Sequence, residues 1–223
     1  MTSIETSLAV GLAATSLSLI PAIIVAWFLE RTRSRLRTLI HVLVALPMVL
    51  PPVVVGYLLL WLFSPRGTLG LLLSSAGLPV AFHWLGAVVA AATVGFPLLV
   101  FGVSLSMKSI DPGLELASRI LGASRMRTFF QITLPLAWPG ILAGAVLSFA
   151  RGIGEFGATI ILAGRIPGET ETIPLAIYAE LDQPGGEARI ATMVLASILI
   201  CLTAVVLSRF LDHLHKNRIE REP

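Results

Sequence analysis

Charge is scarce in this sequence. Asp, Glu, Lys and Arg together make up 13% of the 223 residues, against 56% hydrophobic residues and a mean hydropathy of +0.89. Those proportions exclude a water-soluble core inside a solvated shell and place the chain among integral membrane proteins. Cysteine is almost absent. Cys201 lies inside an apolar stretch with no Cys or His at metal-ligand spacing, which excludes a disulfide framework and a zinc site and leaves a packing role. No G-x-x-x-x-G-K-[ST] segment occurs, so the chain is not expected to hydrolyse ATP, and no Ser-His-Asp or Cys-His set stands out. His41 and His83 fall near the ends of apolar stretches, while His213 and His215 sit in a basic tail. A net charge of +3 does not point to nucleic acid, because the basic residues form short clusters between apolar stretches. Without an internal repeat, low-complexity tract or linker, residues 1–223 read as one membrane domain.

What is present in abundance is the long apolar run. A spanning helix needs about 20 mostly apolar residues, and five stretches qualify: residues 7–29, 39–63, 85–107, 136–163 and 190–211. The first lacks the basic start and small-residue cleavage site of a secretory signal and is expected to be a retained span. Continuous apolar runs specify helices, whereas barrel strands alternate, so the expected fold is an all-α membrane bundle. Orientation follows from the loops. Arg31, Arg33, Arg35 and Arg37, then Lys108, Arg119, Arg125 and Arg127, then Arg209, Lys216, Arg218 and Arg221 mark the cytoplasmic side. The remaining loops hold Arg66, and Arg165 and Arg189 against Glu169, Glu171, Glu180, Asp182 and Glu187, so they belong outside. An outer N-terminus and an inner C-terminus satisfy every loop. A sixth element at residues 173–181 is too short to cross and would be re-entrant.

The loop at residues 108–135 is too long for a mere connection. Ser109 or Asp111 can cap a helix entered at Pro112; Leu114, Ala117, Ile120 and Leu121 share one face; Gly122 ends it. Spacing alone allows a surface helix lying at the headgroups or one docked on another protein. The segment resembles the EAA loop of ABC importer permeases: Ala117 and Ser118 fit its two small positions, Gly122 and Ala123 its glycine step, and Ile132, Leu134 and Pro135 its closing motif. Leu116 occupies the glutamate slot, with Glu115 one residue early. The resemblance implies a coupling helix seated in a groove of an ATPase subunit, with small residues allowing close approach.

The second stretch carries Pro47, Pro51 and Pro52 in one crossing, and each removes a backbone donor, so a kink or break is expected. Either a packing kink or a broken pathway helix would satisfy this. In the fourth stretch Arg151 and Glu155 are four residues apart and can pair, and Gly152, Gly154 and Gly157 allow close packing. An anion pathway needs positive potential and donors, which makes Arg151 and Thr159 the substrate-facing candidates and Glu155 a residue that holds Arg151.

The proline segment and residues 150–178, with their Gly-Glu-Phe-Gly-Ala-Thr core, closely resemble molybdate permeases; sulfate and thiosulfate permeases share a related Gly-Glu-Tyr-Gly core. The resemblance runs over most of residues 46–187. It implies a type I ABC importer permease that translocates molybdate, with tungstate as the alternative oxyanion and sulfate or thiosulfate behind it. It further implies an inner-membrane homodimer and ATPase subunits that carry the ATP and Mg, this chain binding no cofactor or metal itself. A periplasmic or lipid-anchored oxyanion-binding protein would dock on the acidic 165–187 loop. A secondary transporter would require paired intramembrane carboxylates, where only Glu155 is available, and an intramembrane enzyme would require a catalytic cluster.

Overall fold

The computed structural model describes residues 1–32 and 35–219, with side chains to residue 213. Of the basic clusters, Arg33 and Arg221 lie outside the described residues, as do the side chains of His215, Lys216 and Arg218. Among the described residues every regular element is helical. In chain order these are α1 (Ser3–Arg31), α2 (Arg35–Val49), α3 (Pro52–Phe63), α4 (Thr68–Ser75), α5 (Trp84–Lys108) and α6 (Pro112–Ile120). Next come α7 (Arg125–Thr128), a π-helical turn (Phe129–Thr133), α8 (Leu134–Leu136), α9 (Trp138–Ile153), α10 (Gly157–Leu162), α11 (Ile173–Glu180) and α12 (Glu187–Ile219).

Three helices, α1, α5 and α12, are each long and apolar enough to cross a membrane, and two bent pairs bring the number to five if each is one span. α1 starts on a capping box in which Glu5 N–H donates to Thr2 Oγ1 at 3.3 Å and Thr2 N–H donates to Glu5 Oε2 at 2.8 Å. α5 is the central helix, packed chiefly against α1 and α9. Small residues make this closeness feasible. A Cβ on Gly102 of α5 would lie 2.8 Å from Gly144 Cα, and one on Gly140 would lie 2.5 Å from Gly102 O, so the α5 and α9 backbones touch. α12 sits at the periphery; it packs on α9 and α11 and turns an exposed apolar face outward.

The second expected span is folded rather than straight: α2 and α3 meet at 113°. Leu50 N–H still donates to Leu46 O, but Pro51 and Pro52 have no N–H to continue the ladder, which restarts with Val54 N–H on Pro51 O. Pro47, by contrast, lies inside α2 without breaking it, as do Pro21 in α1 and Pro97 in α5. The fourth expected span is also interrupted. α9 ends at Gly154, and regular bonding resumes with Ile160 N–H on Phe156 O. Residues 173–181 form the eight-residue α11, whose Ile173 and Ala176 are buried with Met193 of α12. Its start is tied to α1, because Ile173 N–H donates to Ser7 Oγ at 2.7 Å.

The backbone contact at Gly102 makes a direct prediction. Gly102→Val should force α5 and α9 apart at a cost of about 1–3 kcal/mol or more, as overpacked sites do. Thermal unfolding of the detergent-purified protein should fall well below wild type; an unchanged midpoint would mean the helices do not meet there.

Candidate functional site

The two interruptions lie side by side. α3 packs on α10, and the fit is close enough that a Cβ on Gly56 would lie 2.8 Å from Ala158 Cα, while one on Gly157 would lie 2.8 Å from Pro52 Cβ. Pro51 and Pro52 therefore stand at the junction, with Met48, Val49 and Val53 exposed around them. Pro47 is set apart: it lines a groove of about 430 Å³ between α1, α2 and α5.

Across the second interruption Arg151 Nη1 lies 2.8 Å from Glu155 Oε2. The pairing differs from a surface i,i+4 pair on one helix, because α9 ends at Ile153 and Glu155 sits in the turn beyond it. Glu155 has a second task that spacing does not reveal. Its Oε1 accepts the Ala158 N–H at 2.7 Å, so the carboxylate also caps the restart of the chain at α10. Glu155 is 1% exposed and both oxygens are engaged. Arg151 keeps 35% of its side chain exposed, and only its Nη1 is engaged with Glu155. Thr159 does not join it. At 1% exposure its hydroxyl reaches no open surface of this protomer, so of the two substrate-facing candidates only Arg151 is accessible.

The 108–135 loop is built from local signals. Asp111 Oδ1 accepts Gly113 N–H at 2.8 Å and Pro112 opens α6. Gly122 adopts φ +89°, and Gly122 and Ala123 N–H groups return to Arg119 O and Ser118 O, the two bonds of a Schellman ending. Helix α6 buries none of its residues, and Leu114, Leu116, Ile120 and Leu121 are all exposed, Leu121 by 88%. Ala117 is exposed beside them, while Ser118 Oγ lies 3.1 Å from Thr128 Oγ1 and holds α6 to α7. The loop returns to the bundle through the π turn, where Phe129 meets Trp27 edge-on at 5.6 Å. Leu134 then packs on the core that includes Ala137, with Ile132 half-buried and Pro135 at the first turn of α8.

Glu115 turns inward, away from that apolar face. It pairs with Arg31 at the end of α1 and accepts the Thr133 hydroxyl at 2.7 Å, joining the start of the loop to both a distant helix and the loop's own return. Leu116, in the glutamate slot, points out. No spacing rule could have found the Arg31 partner, which is 84 residues away.

Three of the five carboxylates of the 165–187 loop have partners within the chain. Glu169 meets His83 Nδ1 at 3.2 Å and accepts Trp84 N–H, Glu171 pairs with Arg165 at 2.5 Å, and Glu180 pairs with Arg189 at 3.3 Å. Asp182 and Glu187 remain on the surface. Among the described residues no three His, Cys, Asp or Glu side chains are grouped closely enough to hold a metal ion.

Comparison with known proteins adds to this geometry. The family described as "Binding-protein-dependent transport system inner membrane component" matches residues 8–219. The chain is 47% identical over 213 residues to the molybdenum transport system permease protein ModB of Haemophilus influenzae, covering 95% of this chain and 93% of that one. It is 46% identical over 216 residues to the ModB protein of Escherichia coli K12, covering 96% and 94%. Among solved structures, an inward-facing MetNI methionine ABC transporter superposes with a TM-score of 0.76 at 16% identity over 96% of this chain and 94% of that one, a likeness of fold.

The Arg151–Glu155–Ala158 chain of contacts can be tested by assembly. Removing one member of a buried pair typically costs about 3–5 kcal/mol, less here because Arg151 is partly exposed. Arg151→Gln should lower the yield of folded protein, the double change Arg151→Gln with Glu155→Gln should restore much of it, and Glu155→Ala should be worst because it also removes the α10 cap. Wild-type yields in all three would show that the pair does not hold the break together.

Proposed function

The chain belongs to the family of binding-protein-dependent transport system inner membrane components, and on that premise we propose that it is the permease of an ATP-driven importer carrying molybdate into the cytoplasm. The observation that carries the substrate is the similarity at 46–47% identity, over nearly the whole chain, to two proteins named as molybdenum permeases. The accessible guanidinium of Arg151 agrees with it, since an oxyanion is drawn by positive potential and N–H donors and repelled by an unpaired carboxylate. Tungstate, of nearly equal size and charge, would use the same path.

In this reading the working unit is two copies of the chain with two ATPase subunits that hold ATP and Mg, and a binding protein outside. Arg151 stands near the middle of the 136–163 stretch, beside two discontinuous helices, the arrangement transporters use at their substrate sites. The apolar face of α6 seats in the ATPase. Its motion reaches α1 through Glu115 and Arg31, and reaches α9 through the Leu134–Ala137 core, so the two helices flanking α5 move with it. Closing of the ATPases would open the path outward, and hydrolysis would reopen it inward. Orientation follows the charge bias, with the N-terminus and the 165–187 loop outside and α6 inside.

Two measurements test this reading. In proteoliposomes holding the complete complex, molybdate uptake should be inhibited by tungstate far more than by sulfate, and Gly122→Trp should abolish ATP-driven uptake. At φ +89° any side chain adds about 1–3 kcal/mol of strain, and an indole would also block the groove. Normal uptake by that variant with its ATPase attached would overturn the coupling assignment. For orientation, a Cys201→Ser background carrying Gln183→Cys should react with an impermeant thiol reagent in intact cells, and one carrying Met126→Cys should react only after permeabilisation. The opposite pattern would invert the topology.

A further inference from the structure

Between the end of α1 and the inner side of α6 and α7 lies a cavity of about 310 Å³ whose composition differs from that of the apolar grooves elsewhere on the bundle. Three guanidiniums line it: Arg31 from the last turn of α1, Arg119 from the last turn of α6 and Arg125 from the start of α7. Glu115 is its one carboxylate and is taken by Arg31. Of the three threonines on its wall, Thr133 is committed to Glu115 and Thr128 to Ser118, and Thr32 follows the end of α1. Among the described residues Arg119 and Arg125 have neither an ion-pair partner nor a hydrogen-bond acceptor for their side chains. They leave the cavity with an uncompensated double positive charge.

Docking of α6 on an ATPase does not account for this cavity. The residues α6 turns outward, Leu116, Ile120 and Leu121, are absent from its lining, whereas Trp27 and Phe28 of α1 are part of it. Those aromatics occupy the last turn of a spanning helix, the level at which aromatic side chains mark the boundary between hydrocarbon and headgroups. A basic pocket at that depth, with arginines from three helices on its wall, suits a phosphate group. Orientation bias alone would need positive charge near the membrane and would not require it to converge on one cavity.

We propose that this cavity binds a phosphate group through Arg119 and Arg125, with Arg31 behind them, supplied either as the headgroup of an anionic phospholipid or as free phosphate from solution. The bound phosphate would bridge α6 and α7 and hold the coupling loop against the end of α1. That the site faces the cytoplasm rests on the orientation proposed above; its binding chemistry does not.

The test is native mass spectrometry of the detergent-purified permease with its ATPase, titrated separately with phosphatidylglycerol, phosphatidylcholine and inorganic phosphate. Wild type should retain phosphatidylglycerol in preference to phosphatidylcholine, and retention should fall about fivefold for each of Arg119→Gln and Arg125→Gln. Arg66→Gln, in a different loop, should leave it unchanged. Arg119→Lys with Arg125→Lys, which keeps the charge, should retain more lipid than the double Gln variant and serves as the readout if that variant assembles poorly. If inorganic phosphate displaces the lipid, or itself raises thermal stability in wild type but not in the Lys pair, the source is the free anion; lipid retention indifferent to phosphate assigns the leaflet. A wild type that shows no preference for phosphatidylglycerol and no response to phosphate overturns the proposal, whatever the variants do. Because binding is read without transport, this result is independent of the molybdate uptake assay.

Discussion

In hydrocarbon an unpartnered backbone N–H or C=O costs several kcal/mol, so a helix that breaks inside the membrane must be repaired where it breaks. Two of the breaks in this chain, at Pro51–Pro52 and at Gly154–Phe156, are handled differently. At Pro51 and Pro52 the prolines themselves carry no N–H to strand, and the ladder restarts with Val54 and Val55 N–H on Pro51 O. At Gly154–Phe156 the Gly154 and Glu155 N–H groups return to Ala150 O and Gly152 O, and the Glu155 carboxylate takes the Ala158 N–H at the restart. A buried carboxylate then needs a cation, which Arg151 supplies at 2.8 Å. The charged pair thus accompanies the interruption of the helix and leaves part of the Arg151 side chain exposed.

The broken segments also sit together. Gly56 and Gly157 let α3 and α10 approach until backbone meets backbone; Glu155, Gly157 and Ala158 are buried there, while Pro51, Pro52 and Val53 stay exposed on the other side. Around them, glycine contacts between α5 and α9 hold the bundle without long side chains. Packing of this kind transmits displacement, because neither helix can yield without the other.

The coupling loop shows a division of labour within one short helix. Its outer face is apolar and unpartnered, which suits a protein groove. Its inner face carries Glu115, which fastens it to α1 and to its own return strand of chain through Arg31 and Thr133. A helix that only floated at the headgroups would need no such fastening. With it, α6 is joined to the end of α1 and to the return of the loop, as the proposed coupling role requires.

By itself the sequence determined the features that depend on neighbours in the chain. The apolar runs set where helices cross, the arginine clusters set the expected orientation, and Asp111, Pro112 and Gly122 set the ends of α6, because capping and helix termination act within a few residues. Pro51 next to Pro52 announced a break, though the prolines that stand alone at 21, 47 and 97 are carried inside unbroken helices. Tertiary structure alone decided the rest. It chose Arg31 for Glu115 across 84 residues and His83 for Glu169 across 86. It buried Thr159 while leaving Arg151 open, and it converted Glu155 from a helix-face partner into a cap. Those outcomes depend on which side chains fill the space left when helices pack, and a charge finds its partner by distance in space rather than by distance along the chain.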